Sequence, residues 1–186
     1  MSDALMNGTP VASAAPDAPR PVDIVIEDDR WIDAGLEDLA NRAVIATAQF
    51  LALGRVEVVV LGCNDSRIAG LNDHFRGKQK PTNVLSWPVN DPEPRGPGAH
   101  PDLPQPAPHE GNGIELGDIA ISYDTCVREA AEQGKPLADH VVHLLVHATL
   151  HLVGYDHEID ADAETMEDSE RSILSQLGIP DPYQGS

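Results

Sequence analysis

The residues best suited to chemistry are three histidines near the end of the chain, His147, His151 and His157. His147 and His151 are four residues apart, so a helix places both imidazoles on one face, about 6 Å apart. His157 would lie off that face if the helix simply continued. Gly154 can adopt the positive φ that ends a helix, which lets the chain turn His157 back towards the pair. The spacing predicts a zinc ion held by three nitrogens, with an open position at which a water is activated.

The same histidine spacing occurs in metzincin proteases, but one residue argues against peptide hydrolysis. Metzincins carry a glutamate directly after the first histidine, and it serves as their general base. Ala148 occupies that position here, and an alanine cannot transfer a proton. A metalloprotease-like hydrolase is therefore the less favoured alternative for this metal site.

Charge is distributed unevenly along the 186 residues, whose formal net charge is −19. Such an excess of acidic groups argues against a broad nucleic-acid surface. Residues 55–90 differ, because five Lys and Arg side chains there outnumber three Asp and Glu side chains. This stretch contains Arg76 and Lys78, so we expect one basic inlet that can admit a phosphate chain.

The remaining composition predicts a cytoplasmic protein. Cys63 and Cys126 are far apart and form no C-x2-C pair, which is typical of reduced thiols in a core. The N-terminus has no basic start followed by an apolar block, so no signal peptide is expected. No apolar run approaches the length of a membrane span.

Hydrophobic periodicity predicts an α+β fold. We expect a single small mixed β-sheet of about four strands covered by about five helices, with the metal site at the end of a central helix. The predicted strands are residues 22–26, 56–61, 84–88 and 114–122. The predicted helices are residues 31–53, 65–75, 123–133, 136–153 and 160–177. Pro88 suggests that the third strand lies at an edge of the sheet or ends there.

Two segments have the composition of irregular structure. Residues 1–20 are rich in Ala, Pro and Ser and are predicted to be a disordered tail that precedes a single domain, residues 21–186. Residues 90–113 hold seven prolines and four glycines and are predicted to be a loose surface insertion in that domain. His100 and His109 lie in this insertion, so we expect them to be exposed rather than to bind metal.

Several sequence blocks resemble the YbeY-type rRNA maturation factors, which are metal-dependent endoribonucleases of bacterial ribosome biogenesis. The blocks, in chain order, are LNDHFRGK at 71–78, PTNVLSWP at 81–88, LGDIAIS at 116–122 and HLLVHATLHLVGYDH at 143–157. Leu177-Gly178 and residues 181–183 are also similar to the family. The resemblance covers roughly residues 22–183, apart from the insertion.

This resemblance implies an endoribonuclease acting on single-stranded ribosomal RNA, notably at the 3′ end of 16S rRNA. It implies one zinc ion per chain, held by the three histidines, with Arg76 as the functional arginine. The implied partners are ribosomal RNA and the small ribosomal subunit with its proteins, with no membrane association. A non-catalytic assembly factor with a structural zinc ion remains the main alternative, and a fourth protein ligand would favour it.

The roles of the residues around the predicted metal site stay open at this point. Arg76 can pair bidentately with a phosphate, joined by Lys78, or it can form a structural ion pair. The Ser86 hydroxyl can bind RNA phosphate or bond within its own turn. His143 can support a ligand imidazole from behind or simply pack, and Asp156 can orient an imidazole or cap a turn. No residue stands out as a general base, so a metal-activated water or the RNA 2′-hydroxyl must serve.

Overall fold

Four segments that contain β-branched or aromatic residues pair into one mixed sheet, as their composition favours. This computed structural model describes residues 20–77, 80–91, 93–104 and 113–183, without the side chains of Phe75 and Arg76. The order of the strands in the sheet is β1-β2-β4-β3. The strands are β1 (Val22–Ile26), β2 (Val56–Cys63), β3 (Val84–Pro88) and β4 (Ile114–Ser122). β2 runs parallel to both β1 and β4, whereas β3 pairs antiparallel with β4. The mixed four-stranded sheet is confirmed, and β3 with its proline lies at an edge.

The described part of the chain forms six helices, one more than the periodicity predicts. They are α1 (Arg30–Ala34), α2 (Leu36–Phe50), α3 (Asp65–Arg76), α4 (Tyr123–Gln133), α5 (Leu137–Leu152) and α6 (Asp160–Gln176). The extra helix arises because the predicted helix 31–53 is broken at Gly35, which has a φ of 76° that glycine adopts at little cost. The break lets Trp31 turn into the core, where it is fully buried and its indole N–H donates to the carbonyl of Cys63 at 3.0 Å.

Helix α5 runs through the middle of the fold and packs against α2 and the sheet. Val142, Leu145 and Val146 on its buried side have no solvent exposure. Because these residues fix the rotation of the helix, the histidines on its other side face a groove beside β3. The central helix predicted from the sequence is therefore the element that positions the candidate site. None of the described helices is long and apolar enough to cross a membrane.

The described part of the Pro/Gly-rich insertion is anchored to the fold, in contrast to the loose segment that its composition suggests. The backbone N–H of Gly98 donates to Asp162 at 2.7 Å, and its carbonyl accepts from the Thr165 hydroxyl at 2.7 Å. His100 is exposed, as predicted, yet its Nδ1 lies 2.8 Å from the Tyr155 hydroxyl. These contacts join residues 98–100 to α6 and to the turn that follows α5. His109 and the predicted tail up to residue 19 lie outside the described residues.

Replacing His100 with Ala is expected to lower the free energy of unfolding by about 1 kcal/mol, the typical worth of one hydrogen bond to a buried hydroxyl. Tyr155 is only 3% exposed, so water cannot readily replace the lost partner. Urea denaturation of the metal-free protein measures the change. Asp102→Ala, at an exposed position in the same segment, serves as the control and should change stability by less than about 0.5 kcal/mol. Equal stability of His100→Ala and wild type would show that the insertion is not held by this contact.

Candidate metal centre

The turn after α5 brings the third histidine back to the first two. α5 ends at Leu152, and Gly154 adopts a φ of 114°. The backbone N–H of Tyr155 then donates to the carbonyl of Leu150 at 3.0 Å, which folds the chain back along the helix end. The sequence prediction that Gly154 reverses the chain is confirmed, and the next residues carry His157 towards α5.

His147, His151 and His157 converge on one point. Each offers a ring nitrogen that lies within 4.8 Å of the ring nitrogens of the other two. The ring centroids are 4.7 Å apart for His147 and His151, 5.2 Å for His147 and His157, and 4.9 Å for His151 and His157. Three nitrogens this close can ligate a single metal ion.

The Nδ1 atoms of His147 and His151 each form a hydrogen bond with the protein, so the Nε2 atom of each ring can bind a metal ion. His151 Nδ1 donates to the backbone carbonyl of Tyr155 at 2.9 Å. A carbonyl can only accept, so the lone pair of His151 lies on Nε2. His147 Nδ1 is in the same way 2.7 Å from a carboxylate oxygen of Glu170. This arrangement, in which the second nitrogen of a ligand is fixed by an outer acceptor, is usual in metal sites.

His151 remains a neutral ligand well into the acid range. Burial, together with the nearby His147 and His157, lowers the pKa of His151 to about 4. Protons therefore compete poorly with a cation for this nitrogen at neutral pH. The three residues fit a metal ion that prefers imidazole, such as zinc.

Glu170 lies behind the three histidines and was missed by sequence reasoning. Its carboxylate is fully buried and accepts hydrogen bonds from His143 Nε2 at 2.8 Å, His147 Nδ1 at 2.7 Å and the Tyr183 hydroxyl at 2.6 Å. Burial alone would raise the pKa of Glu170, but the hydrogen bonds from the two histidines outweigh it and hold the pKa at about 2. The carboxylate is thus ionised and orients two imidazoles at once.

The spacing of α6 contained a signal for this role. From the sequence, the acidic residues of this helix are predicted to form a solvent-exposed face, but Glu170 does not lie on that face. It is four residues after Met166 and four before Leu174, and both are fully buried. A glutamate in register with an apolar stripe is a buried charge, and a buried charge needs partners.

Two residues predicted to support the site take different roles. His143 shares the Glu170 carboxylate with His147, which fits the predicted supporting role and leaves His143 outside the cluster of three rings. Asp156 instead caps its own turn, because its side chain accepts the backbone N–H of His157 at 2.7 Å. Of the two roles predicted for Asp156, this contact favours the turn cap.

The predicted substrate-binding residues are placed only in part. Ser86 lies on β3 and lines the groove that holds the histidines. Arg76 is the last residue of α3, and its side chain is outside the described part of the structure, as is the whole of Lys78. Their predicted roles at the phosphate stay predictions.

Two clefts meet at His151 and His157. The first has a volume of about 340 Å³ and is lined by Thr82, Asn83, Val84, Ser86, His143, Leu144, His147, Ala148, His151, His157 and Tyr183. The second has a volume of about 490 Å³ and is lined by Ser86, Pro88, His151, Gly154, Tyr155, Asp156, His157 and Glu158. Among the described residues that line the first cleft none is Asp or Glu. A negatively charged ligand can therefore approach the histidines there despite the acidic charge of the chain.

Comparison with known proteins agrees with this geometry. The family model described as Endoribonuclease YbeY matches residues 23–178, which include all three histidines. A protein named Endoribonuclease YbeY from Paracoccus denitrificans is 63% identical over 172 residues, which are 92% of this chain and 95% of that protein. Proteins of the same name from Dinoroseobacter shibae and Cereibacter sphaeroides are 54% and 53% identical, over 88% and 87% of this chain and 90% and 98% of their own lengths. The chain belongs to the endoribonuclease YbeY family.

Proposed function

We propose that this protein is an endoribonuclease that cleaves single-stranded RNA at a zinc ion held by His147, His151 and His157. The observation that carries the proposal is the convergence of three imidazoles at the first cleft, whose described lining residues include no Asp or Glu. Membership of the endoribonuclease YbeY family supports the reaction. The proposed substrate is ribosomal RNA, notably the 3′ end of 16S rRNA.

The choice of zinc rests on the chemistry of the donor set. A catalytic zinc site typically has three protein ligands and leaves the fourth position to water or substrate, and three imidazoles are one such ligand set. We propose one zinc ion per chain. When bound, such an ion polarises a phosphoryl oxygen or lowers the pKa of a water. The protein's own contribution is to hold the imidazoles, through Glu170 on His147 and the Tyr155 carbonyl on His151.

The residues of the cleft supply substrate binding. Ser86 and Thr82 offer hydroxyls to the RNA backbone. Arg76 is the last residue of α3, and Lys78 is two residues later in the sequence. We propose that both pair with phosphate, the arginine through its planar fork. Asn72 on α3 donates to the carbonyl of Lys80 at 3.0 Å, which ties the chain leading into β3 to this helix.

The proton acceptor is not a carboxylate of the first cleft. The described residues that line that cleft carry hydroxyl, amide, imidazole and phenol groups. The Tyr183 hydroxyl is engaged with Glu170 at 2.6 Å, so it donates rather than accepts there. We propose that either a metal-activated water or the 2′-hydroxyl of the RNA supplies the nucleophile, as the sequence indicates. The carboxylates of Asp156 and Glu158 line the second cleft and not the first.

We also propose that the protein acts in the cytoplasm on the small ribosomal subunit and its proteins. The net charge of −19 opposes tight binding to free RNA, because like charges repel across most of the surface. A ribosomal partner can supply the missing affinity. Turnover on assembled subunits should then exceed turnover on naked RNA.

Replacing Arg76 with Lys is expected to lower the rate of RNA cleavage by at least about 10-fold while zinc content stays at one ion per chain, because lysine lacks the bidentate fork. Zinc-loaded wild type and variant are compared on a single-stranded RNA with the sequence of the 16S 3′ end. Arg67→Lys is the control, since Arg67 lies on the same helix and pairs with Glu27 at 3.1 Å. This control should cleave like wild type. Full activity of Arg76→Lys would assign Arg76 a structural role.

Metal removal tests the reaction itself in the same assay. Cleavage by wild type should cease after chelation and return with zinc. If zinc-loaded wild type leaves the RNA intact, the assay is repeated on small ribosomal subunits. Cleavage only there would make the enzyme ribosome-dependent, and none in either assay would favour a non-catalytic assembly factor.

A further inference from the structure

The backbone hydrogen-bonding groups of the edge strand β3 alternate between facing β4 and facing away from the sheet. In an antiparallel pair, opposite residues alternate between bonding each other and pointing their N–H and C=O groups away. Ser122 N–H donates to the Asn83 carbonyl at 2.9 Å, and Val89 N–H donates to the Leu116 carbonyl at 3.0 Å. The odd-numbered residues of β3 are therefore the ones that bond β4. The backbone groups of Val84, Ser86 and Pro88 point away from the sheet.

Of these three outward positions, one has an available donor. The backbone N–H of Val84 is taken by the side chain of its neighbour Asn83, at 2.7 Å. Pro88 has no N–H. Within the described strand this leaves the N–H of Ser86 as the donor that points outward from the edge of the sheet.

Ser86 also lies where a ligand must pass. Ser86, His151 and His157 are the three residues that line both clefts. Leu85 and its cluster face α3, so the alternation of the strand directs the Ser86 side chain towards α5 and its histidines. A chain that occupies both clefts therefore runs between Ser86 on β3 and His151 with His157 on the other side.

We propose that the backbone N–H of Ser86 donates a hydrogen bond to the scissile phosphodiester of a single-stranded RNA that runs from one cleft to the other. This inference rests on the proposed function and assigns a further catalytic group to it. A fixed N–H opposite the metal-binding imidazoles can stabilise the charge that develops on a non-bridging phosphate oxygen. The backbone N–H needs no rearrangement, because the ladder with β4 holds it in place.

The pattern of donors favours RNA over a peptide strand as the occupant. A peptide that extends the sheet needs donors and acceptors that alternate along the whole edge. Asn83 and Pro88 remove the donors on both sides of Ser86. A single backbone donor is sufficient to bind one phosphate oxygen, whereas it is not sufficient to pair with a peptide strand.

The test compares two substitutions at one position. Ser86→Ala removes the hydroxyl and keeps the N–H, whereas Ser86→Pro removes both. Proline is tolerated at an edge position whose N–H points outward, as Pro88 already shows on this strand. On a zinc-loaded enzyme with a single-stranded RNA substrate, Ser86→Ala gives the cleavage rate without the RNA-binding hydroxyl and is the reference for the second variant. Ser86→Pro should fall a further ~100-fold, the usual effect of losing one such donor.

Zinc content and melting temperature of both variants show whether β3 is intact. If Ser86→Pro loses zinc or unfolds, the N–H is instead removed by an ester bond at position 86, introduced as the α-hydroxy analogue of alanine and compared with Ser86→Ala. Equal rates for the ester and Ser86→Ala, or for folded Ser86→Pro and Ser86→Ala, would overturn the inference. Failure of wild type to cleave any RNA would instead overturn the proposed function.

Discussion

Replacing Glu170 with Gln is expected to lower the free energy of unfolding of the metal-free protein by about 3 kcal/mol at pH 7. The carboxylate is fully buried and accepts from His143, His147 and Tyr183. A glutamine has one accepting oxygen, and its NH₂ group faces a donor on the other side. This magnitude follows from the lowered pKa of Glu170, which is about 2 in the folded protein and 4.5 for an ordinary glutamate. Each unit of pKa difference corresponds to about 1.4 kcal/mol of folding free energy.

The same pKa predicts how this difference depends on pH. A carboxylate whose pKa is lower in the folded state contributes its full stabilisation above pH 4.5 and loses it as the pH falls towards 2. The gap between wild type and Glu170→Gln should therefore be constant from pH 7 to 5 and narrow below 4.5. His151, whose pKa is lowered to about 4, destabilises both proteins as the pH falls below 6.5, and its effect cancels in the difference.

The zinc affinity of Glu170→Gln should also be lower than that of wild type, by about 10- to 100-fold, because Glu170 fixes the orientation of His147. Urea denaturation and competitive zinc titration measure the two effects. Glu167→Gln is the matched control, since Glu167 lies on the same helix in a surface ion pair with Arg171 at 3.7 Å. Such pairs contribute little, so the control should stay within about 1 kcal/mol. A Glu170→Gln protein with wild-type stability and affinity would refute the orienting role.

The histidines and the sheet are predictable because their signals are local. His147 and His151 are one helical turn apart, and Gly154 marks the reversal that brings in His157. Three of the strands contain several Val or Ile residues, and β3 contains Val84 and Trp87 before its proline. Each of these features depends on neighbours in sequence, which periodicity and turn chemistry describe directly.

The outer partner of His147 is not predictable in this way, because it comes from a distant part of the chain. Glu170 is 23 residues from His147. The carbonyl that accepts from His151 belongs to Tyr155, four residues along the chain, and its position depends on the turn at Gly154. The break at Gly35 and the anchored insertion have the same origin. In both cases a contact with a remote segment overrides the structure that the local composition favours. Trp31 is buried against Cys63, and the backbone of Gly98 bonds residues of α6.

Replacing His151 with Ala is expected to abolish zinc retention and RNA cleavage together. His151 supplies one of three converging nitrogens, and its lowered pKa keeps protons from competing with a metal ion at neutral pH. Two imidazoles remain, one of them on an exposed residue, so zinc affinity should fall by more than the roughly 100-fold expected for an outer partner. Zinc per chain after dialysis, with cleavage of single-stranded RNA on the same sample, measures both.

The control is His140→Ala, which removes another histidine from the buried part of the same helix. His140 is 3% exposed and bonds Glu129 at 2.9 Å, outside the cluster of three. Its loss should reduce stability but leave one zinc per chain. If His151→Ala also kept one zinc at wild-type affinity, the ligand set would be wrong. If both variants lost zinc equally, the loss would report damage to α5 rather than ligation, so only the contrast between the two assigns the metal to His151.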